Sequence, residues 1–164
     1  MANSSVFTGA DGAITLAKVQ GPEGDKADAV LSAYNLATVG RVQNVRVEVQ
    51  TTVRAFHEIG QRYATELRPG NVSVRGTIGR AYINGAMLKL LLGEAADGRP
   101  AASWVQPSFN ISLLLANAAV PNVTNTLTLH DVKLDSWVYA MPEDDFVLES
   151  IGFQALYVTV EDAA

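Results

Sequence analysis

A chain of 164 residues that is 48% hydrophobic and 18% charged can bury one sizeable core and is too apolar to stay disordered. Its formal net charge of −5 repels nucleic acid, which argues against a conventional DNA-binding role. With no cysteine, disulfides, thiolate metal sites and cysteine nucleophiles are all excluded.

Met1–Ser5 show no basic region followed by an apolar core, so no signal peptide is expected. No apolar run approaches the roughly 18 residues of a membrane-spanning helix. Asn-x-Ser/Thr triplets at Asn3, Asn71, Asn110 and Asn122 then read as coincidence. Residues 1–12 are small and polar and close on a Gly9–Gly12 turn signal. A short strand is expected over Ala13–Val19. Gln20–Asp28, with Gly21, Pro22 and Gly24, reads as a loop, and Ala29–Leu36 as one or two helical turns or irregular chain.

From Asn44 the pattern sharpens. Val45, Val47, Val49, Thr51 and Val53 alternate with Arg46, Glu48, Gln50 and Thr52. Successive strand residues point to opposite faces, so this is a half-buried strand with one apolar and one polar face. The return arm repeats it, with Val72, Val74, Gly76 and Ile78 against Ser73, Arg75, Thr77 and Gly79. A wide loop over 54–70 is expected to join the arms. Asn84 is a good N-cap for a short helix over about 84–93. Lys89 is its only charge, and Gly93 sits where a closing glycine belongs. A helix apolar nearly all round needs cover on most sides.

Glu94–Pro107 reads as a loop and Ser108–Asn117 as a strand. Thr126–Tyr139 is a long strand whose apolar phase is odd at Leu127 and Leu129 and even at Val132 and Leu134. Such a slip is the signature of a β-bulge. Met141–Asp145 is a turn, and Phe146–Val160 the last strand, its apolar set broken at Glu149. The fold class expected is mainly β: one domain over 1–164, an antiparallel sandwich or barrel with a single flanking helix and long loops.

The inventory for chemistry is thin. His57 lies beside Glu58 in the wide loop, and His130 on a polar strand face; no Gly-x-Ser-x-Gly elbow supports a triad. Glu143-Asp144-Asp145 lacks the spacing of a calcium loop and reads as a solvated turn or an ion-pair partner for a neighbouring subunit. Gly76-Thr77-Ile78-Gly79 lies inside a strand, where glycine marks a bend, a bulge or close backbone approach rather than a phosphate cradle. Trp104, Trp137 and the tyrosines do not interleave with basic residues, so no single-strand stacking platform is expected. No catalytic, cofactor or metal residue is assigned. Long strands with small polar faces, and a helix wanting cover, suggest subunits that pair their edges around a lumen.

Several segments together carry a resemblance. They are Phe7–Ala13, Glu58–Tyr63, Glu66–Gly70, Gly76–Leu88, Leu134–Trp137 and Pro142–Ser150. In this order they resemble bacteriophage tail tube proteins and the inner tubes of contractile injection systems. The resemblance implies a structural virion protein of the tail, made in the host bacterial cytoplasm. It implies hexameric rings stacked into a hollow tube through which double-stranded DNA passes, with an acidic lumen to which DNA does not stick. Partners would be the chain itself and tape-measure, baseplate or tail-tip and tail-terminator proteins; a contractile sheath is left open, and no membrane or cofactor is involved. Carried onto this sequence, the lumen-facing candidates are Arg46, Glu48, Gln50, Thr52, Ser73, Arg75 and Thr77. The inter-subunit candidates are Asp25, Lys26 and Asp28 in the 20–36 loop, and His57, Glu58, Arg62, Glu66 and Arg68 in the 54–70 loop. Three alternatives stand beside this reading: a tailocin or injection-system tube, a small β-sandwich ligand-binding module using Trp104 or Trp137, and an unrecognised hydrolase using His57 or His130.

Overall fold

A computed structural model describes residues 6–100 and 103–163. Residues 1–5, which begin the small, polar 1–12 segment that the resemblance makes an N-terminal arm and which hold the Asn3 triplet, lie outside the described residues. Among those described, the elements run β1 (Gly12–Lys18), α1 (Pro22–Ala33), β2 (Val42–Phe56), β3 (Glu66–Ala81) and α2 (Ala86–Leu92). They continue with β4 (Phe109–Ala116), β5 (Thr124–Ala140), β6 (Leu148–Ala155) and β7 (Tyr157–Ala163). The sheet order is β1-β4-β5-β6-β3-β2, with β7 on β5, and every pairing is antiparallel. It curls into a half-barrel, so the mainly-β expectation holds.

β5 is the hinge of the curl. Its first half lies between β4 and β7, while its second half, from Lys133, pairs with β6. The predicted phase slip is there. Phe109 faces Val132 while Ile111 faces Leu129, leaving an extra residue on β5. Asp131 takes that place at φ 52°, and its N–H donates to Asn110 Oδ1 at 3.0 Å. The bulge lets Leu129 and Val132 both point inward, and both are fully buried.

α2 forms within the expected span, but its N-cap is Gly85 rather than Asn84. Asn84, one residue earlier, accepts from the Ala86 N–H through Oδ1 at 3.1 Å, and Gly93 closes the helix at φ 58°. Met87 and Leu90 are sealed from solvent; burying each stabilises by about 2 kcal/mol. The expectation of a single helix fails at α1. Pro22–Ala33, expected as a loop up to Asp28 followed by one or two helical turns or irregular chain, is a 12-residue helix. Gly21 at φ 98° turns the chain in, Pro22 stands in the first turn, and Glu23 and Asp25 lie at the positive end of the helix dipole. Gly and Pro here start a helix rather than interrupt the chain.

Two boundaries also move. The wide loop is shorter than 54–70: β2 runs on to Phe56 and β3 starts at Glu66, with a register shift between Thr51 and Val53 that seats Val53 opposite Pro69. The last strand is two strands. It breaks at Leu156, whose N–H donates to the His130 carbonyl at 3.0 Å. β6 pairs with β3 and β5, and β7 with β5.

Candidate assembly surfaces

The β2–β3 hairpin outruns the rest of the sheet. β3 has 16 residues, yet only Val74–Ala81 pair with β6. The distal part of the hairpin is a two-stranded ribbon with solvent on both faces. Val49, Val53, Leu67 and Val72 are all more than half exposed. Their alternation looks like that of a core face, but no described element of the same chain covers it. Two-stranded ribbons are marginal on their own.

On the opposite face, six of the seven lumen candidates meet in register: Arg46 with Thr77, Glu48 with Arg75, Gln50 with Ser73. Thr52 lies within the register shift. The row continues onto β6 and β5, where Arg75 is opposite Gln154, and Gln154 Nε2 donates to Asp135 Oδ2 at 2.9 Å. Arg75 Nη2 donates to Glu48 Oε1 at 3.1 Å, and Arg46 Nη2 lies 3.5 Å from Glu48 Oε2. Between these side chains is a shallow groove of about 270 Å³ floored by Thr77, Ser136 and Gly152. The face is thus small and polar, with its arginines tied to a carboxylate.

The inter-subunit candidates divide into two groups. Asp25, Lys26 and Asp28 are on α1, not in a loop: Lys26 bonds to Glu94, and Asp25 stands 3.9 Å from Lys18. His57, Glu58, Arg62, Glu66 and Arg68 sit exposed at the hairpin end, with Arg68 Nε 2.7 Å from Glu66 Oε1. All four lysines reach carboxylates: Lys18 to Asp25, Lys26 to Glu94, Lys89 to Asp97 and Lys133 to Glu23. The hydrogen bond to Asp97 holds Lys89 above the usual lysine range. No lysine lies between Lys26 and Lys89, so the hairpin's cations are all arginine.

Two features were not anticipated. Glu149, which broke an apolar set, is buried with Arg80 directly opposite it in register. Arg80 Nε bonds to Glu149 Oε1, and Trp137 Nε1 donates to Oε2 at 2.7 Å. Arg80 Nη2 has no hydrogen-bond partner among the described residues. Tyr82, Trp137 and Tyr139 close over this end as an aromatic cluster, with Trp137 and Tyr139 stacked at 5.5 Å. The second feature is an apolar groove of about 670 Å³ where the half-barrel stays open between β4 and the start of β2.

Little here is arranged for catalysis. His130 stacks on Tyr157 at 4.3 Å and contacts Thr159 Oγ1 at 2.9 Å, and His57 is exposed in the hairpin loop. Among the described residues no three His, Asp or Glu converge at metal-ligand spacing. Trp137 is committed to Glu149 and Tyr139, which leaves only Trp104 of the two tryptophans open to a ligand.

The fold is shared with chains of contractile injection particles and of a phage tail tube. The chain is similar to the tube-terminating cap of the anti-feeding prophage, at TM-score 0.69 and 13% identity, covering 99% of this chain and 95% of that one. It is similar to a chain of the sheath–tube complex of the extracellular contractile injection system PVC in its extended state, at TM-score 0.64 and 12% identity, covering 97% and 93%. The SPP1 tail tube gives TM-score 0.59 and 12% identity, covering 96% and 80%. No protein-family model matches the chain, and no curated protein matches it in sequence.

Proposed function

We propose that the protein is a structural tube subunit whose copies join edge to edge into rings that stack into a hollow tail tube. One observation carries this reading. The four-stranded half of the sheet, β5-β6-β3-β2, ends on β2 at one side and on the second half of β5 at the other, where no described strand pairs with it although Gln106 Nε2 donates to the Leu134 carbonyl at 2.8 Å. Two different open edges on one subunit make a heterologous, head-to-tail contact, which closes into a ring when the rotation fits. Six copies per ring is what the resemblance implies.

In such a ring Arg46, Glu48, Gln50, Thr52, Ser73, Arg75 and Thr77 line the lumen. Arg46 and Arg75 share Glu48, so these seven residues carry a formal +1 rather than the acidic balance the resemblance implies. A single net charge among small neutral side chains is no basic stripe, and DNA would pass without gripping it. The candidates at the hairpin end serve contacts along the tube. Tape-measure, tail-tip and terminator proteins complete the assembly, and the virion tail is where it resides. A tube of an injection particle without a genome uses the same contacts.

The test is electron microscopy of the purified chain, alone and seeded with its own baseplate or tail-tip complex. Rings or hollow tubes are expected; a monomer under both conditions at high concentration overturns the proposal. Arg68→Glu or Glu66→Lys should weaken polymerisation several-fold while leaving the circular dichroism spectrum and Tm unchanged. Unaltered tube yield would remove these two residues from the contact.

A further inference from the structure

The two ends of β3 carry surfaces that fit one another. At the start of β3 is the hairpin end, where Phe56, Ile59, Tyr63 and Leu67 are all more than half exposed. Arg54, Arg62 and Arg68 stand among them, against Glu58 and Glu66. At the other end, Ala81 and Ala140 both pair with Leu148, and the Tyr82 N–H donates to the Val147 carbonyl at 2.9 Å. That bond ties the 141–147 loop to the foot of β3. This foot is also apolar and exposed, through Ile83, Met141 and Phe146 beside the Tyr82–Tyr139 pair. Its only charges are Glu143, Asp144 and Asp145. β3 is roughly 50 Å long at about 3.3 Å per residue, so the two surfaces stand far apart on one molecule.

The formal charges of the two ends differ in the same sense: Arg54, Arg62 and Arg68 against Glu58 and Glu66 leave +1 at the hairpin end, and Glu143, Asp144 and Asp145 leave −3 at the foot. Opposite signs at opposite ends favour head-to-tail contact and disfavour head-to-head, because like charges brought together in an interface are costly.

We infer that the 141–147 loop with Tyr82 and Ile83 is the receptor for the hairpin end of another copy, placed in the next ring. This rests on the tube reading and names the surface that its axial contact uses. Apolar side chains of the hairpin cover Met141 and Phe146, and the arginines face Glu143, Asp144 and Asp145 across the rim. The open groove between β4 and β2 is the competing receptor, but its only charged lining residue is Arg41, the wrong sign for a basic hairpin.

The chain has no cysteine, so a thiol pair can be placed cleanly. An Ile59→Cys, Phe146→Cys double variant, assembled into tubes and then oxidised, should give a ladder of covalent oligomers on a non-reducing gel. An Ile59→Cys, Leu114→Cys variant, which probes the groove, should give only monomer. A ladder from the groove pair with none from the first pair overturns the inference and leaves the tube reading standing. Absence of tubes from the unmodified, seeded chain overturns both. As a second measurement, Glu143→Lys, Asp144→Lys, Asp145→Lys should raise the concentration needed for polymerisation at least tenfold with Tm unchanged. Adding Arg54→Glu, Arg62→Glu, Arg68→Glu should recover part of that loss; no recovery counts against direct pairing of the two ends.

Discussion

Glu149→Ala should lower the stability of the folded chain by about 3–5 kcal/mol, the usual cost of stripping one partner from a buried ion pair. At roughly 2–4 °C per kcal/mol for a domain of this size, Tm falls by about 10 °C. Arg80 and Glu149 are essentially sealed, with side-chain exposures of 1% and 0%. Truncating Glu149 leaves a guanidinium in the interior without an anion, and it frees the Trp137 N–H as well. Among the described residues Arg80 Nη2 has no acceptor to which the stranded guanidinium could turn. The double variant Arg80→Met, Glu149→Leu should be markedly more stable than Glu149→Ala, because apolar side chains of similar volume carry no desolvation cost. Calorimetry of the two variants against the parent checks both statements; a Glu149→Ala chain within about 1 kcal/mol of the parent would show that water reaches the pair.

Gly76→Val should disrupt the hairpin's seat on the sheet. A Cβ at position 76 would stand 2.1 Å from the Arg46 carbonyl oxygen and 2.6 Å from Phe153 Cζ. Real Cβ atoms do not come that close to backbone, so β2 and β3 must separate or the Phe153 ring must leave the core. Overpacking of this kind costs about 1–3 kcal/mol, and here it falls across two strands at once. We expect a lower Tm and faster amide exchange across Val45–Val49. Parent-like protection at these amides would falsify the close approach.

Several of these arrangements are readable in the sequence, and the limits have physical causes. The hairpin is legible because its alternation is unbroken from Val45 to Val53. The bulge at Asp131 is legible because Leu129 and Val132 differ in parity, and both can face the core only if the strand holds one extra residue between them. The interior glycine at 76 is legible as a close approach. α1 is missed because Gly21, Pro22 and Gly24 read as breakers, although Pro at a helix start followed by acids is an opening signal. The Arg80–Glu149 pair joins residues 69 apart, and no local pattern reports a partner at that distance. Glu149 is visible only as an interruption.

The candidate polar face is readable in the same way, since alternation assigns Arg46, Glu48 and Gln50 to one side and register then brings Arg75 and Ser73 opposite them. What alternation does not report is whether an apolar face is covered by its own chain. Val49, Val53 and Val72 carry the pattern of buried residues and lie in the open. A strand of 15 residues, against a common length of about 5–6, is the available sign that part of it has to find cover elsewhere.

The distribution of lysine has a practical consequence. Because residues 27–88 contain none, amine-reactive dyes and cross-linkers leave the hairpin and its polar face untouched. Payloads can be conjugated at Lys18, Lys26 and Lys89, beside the two helices, once Lys133, opposite Gln154 on the row that continues the polar face, has been replaced. A lysine-specific protease, for the same reason, would release the hairpin whole.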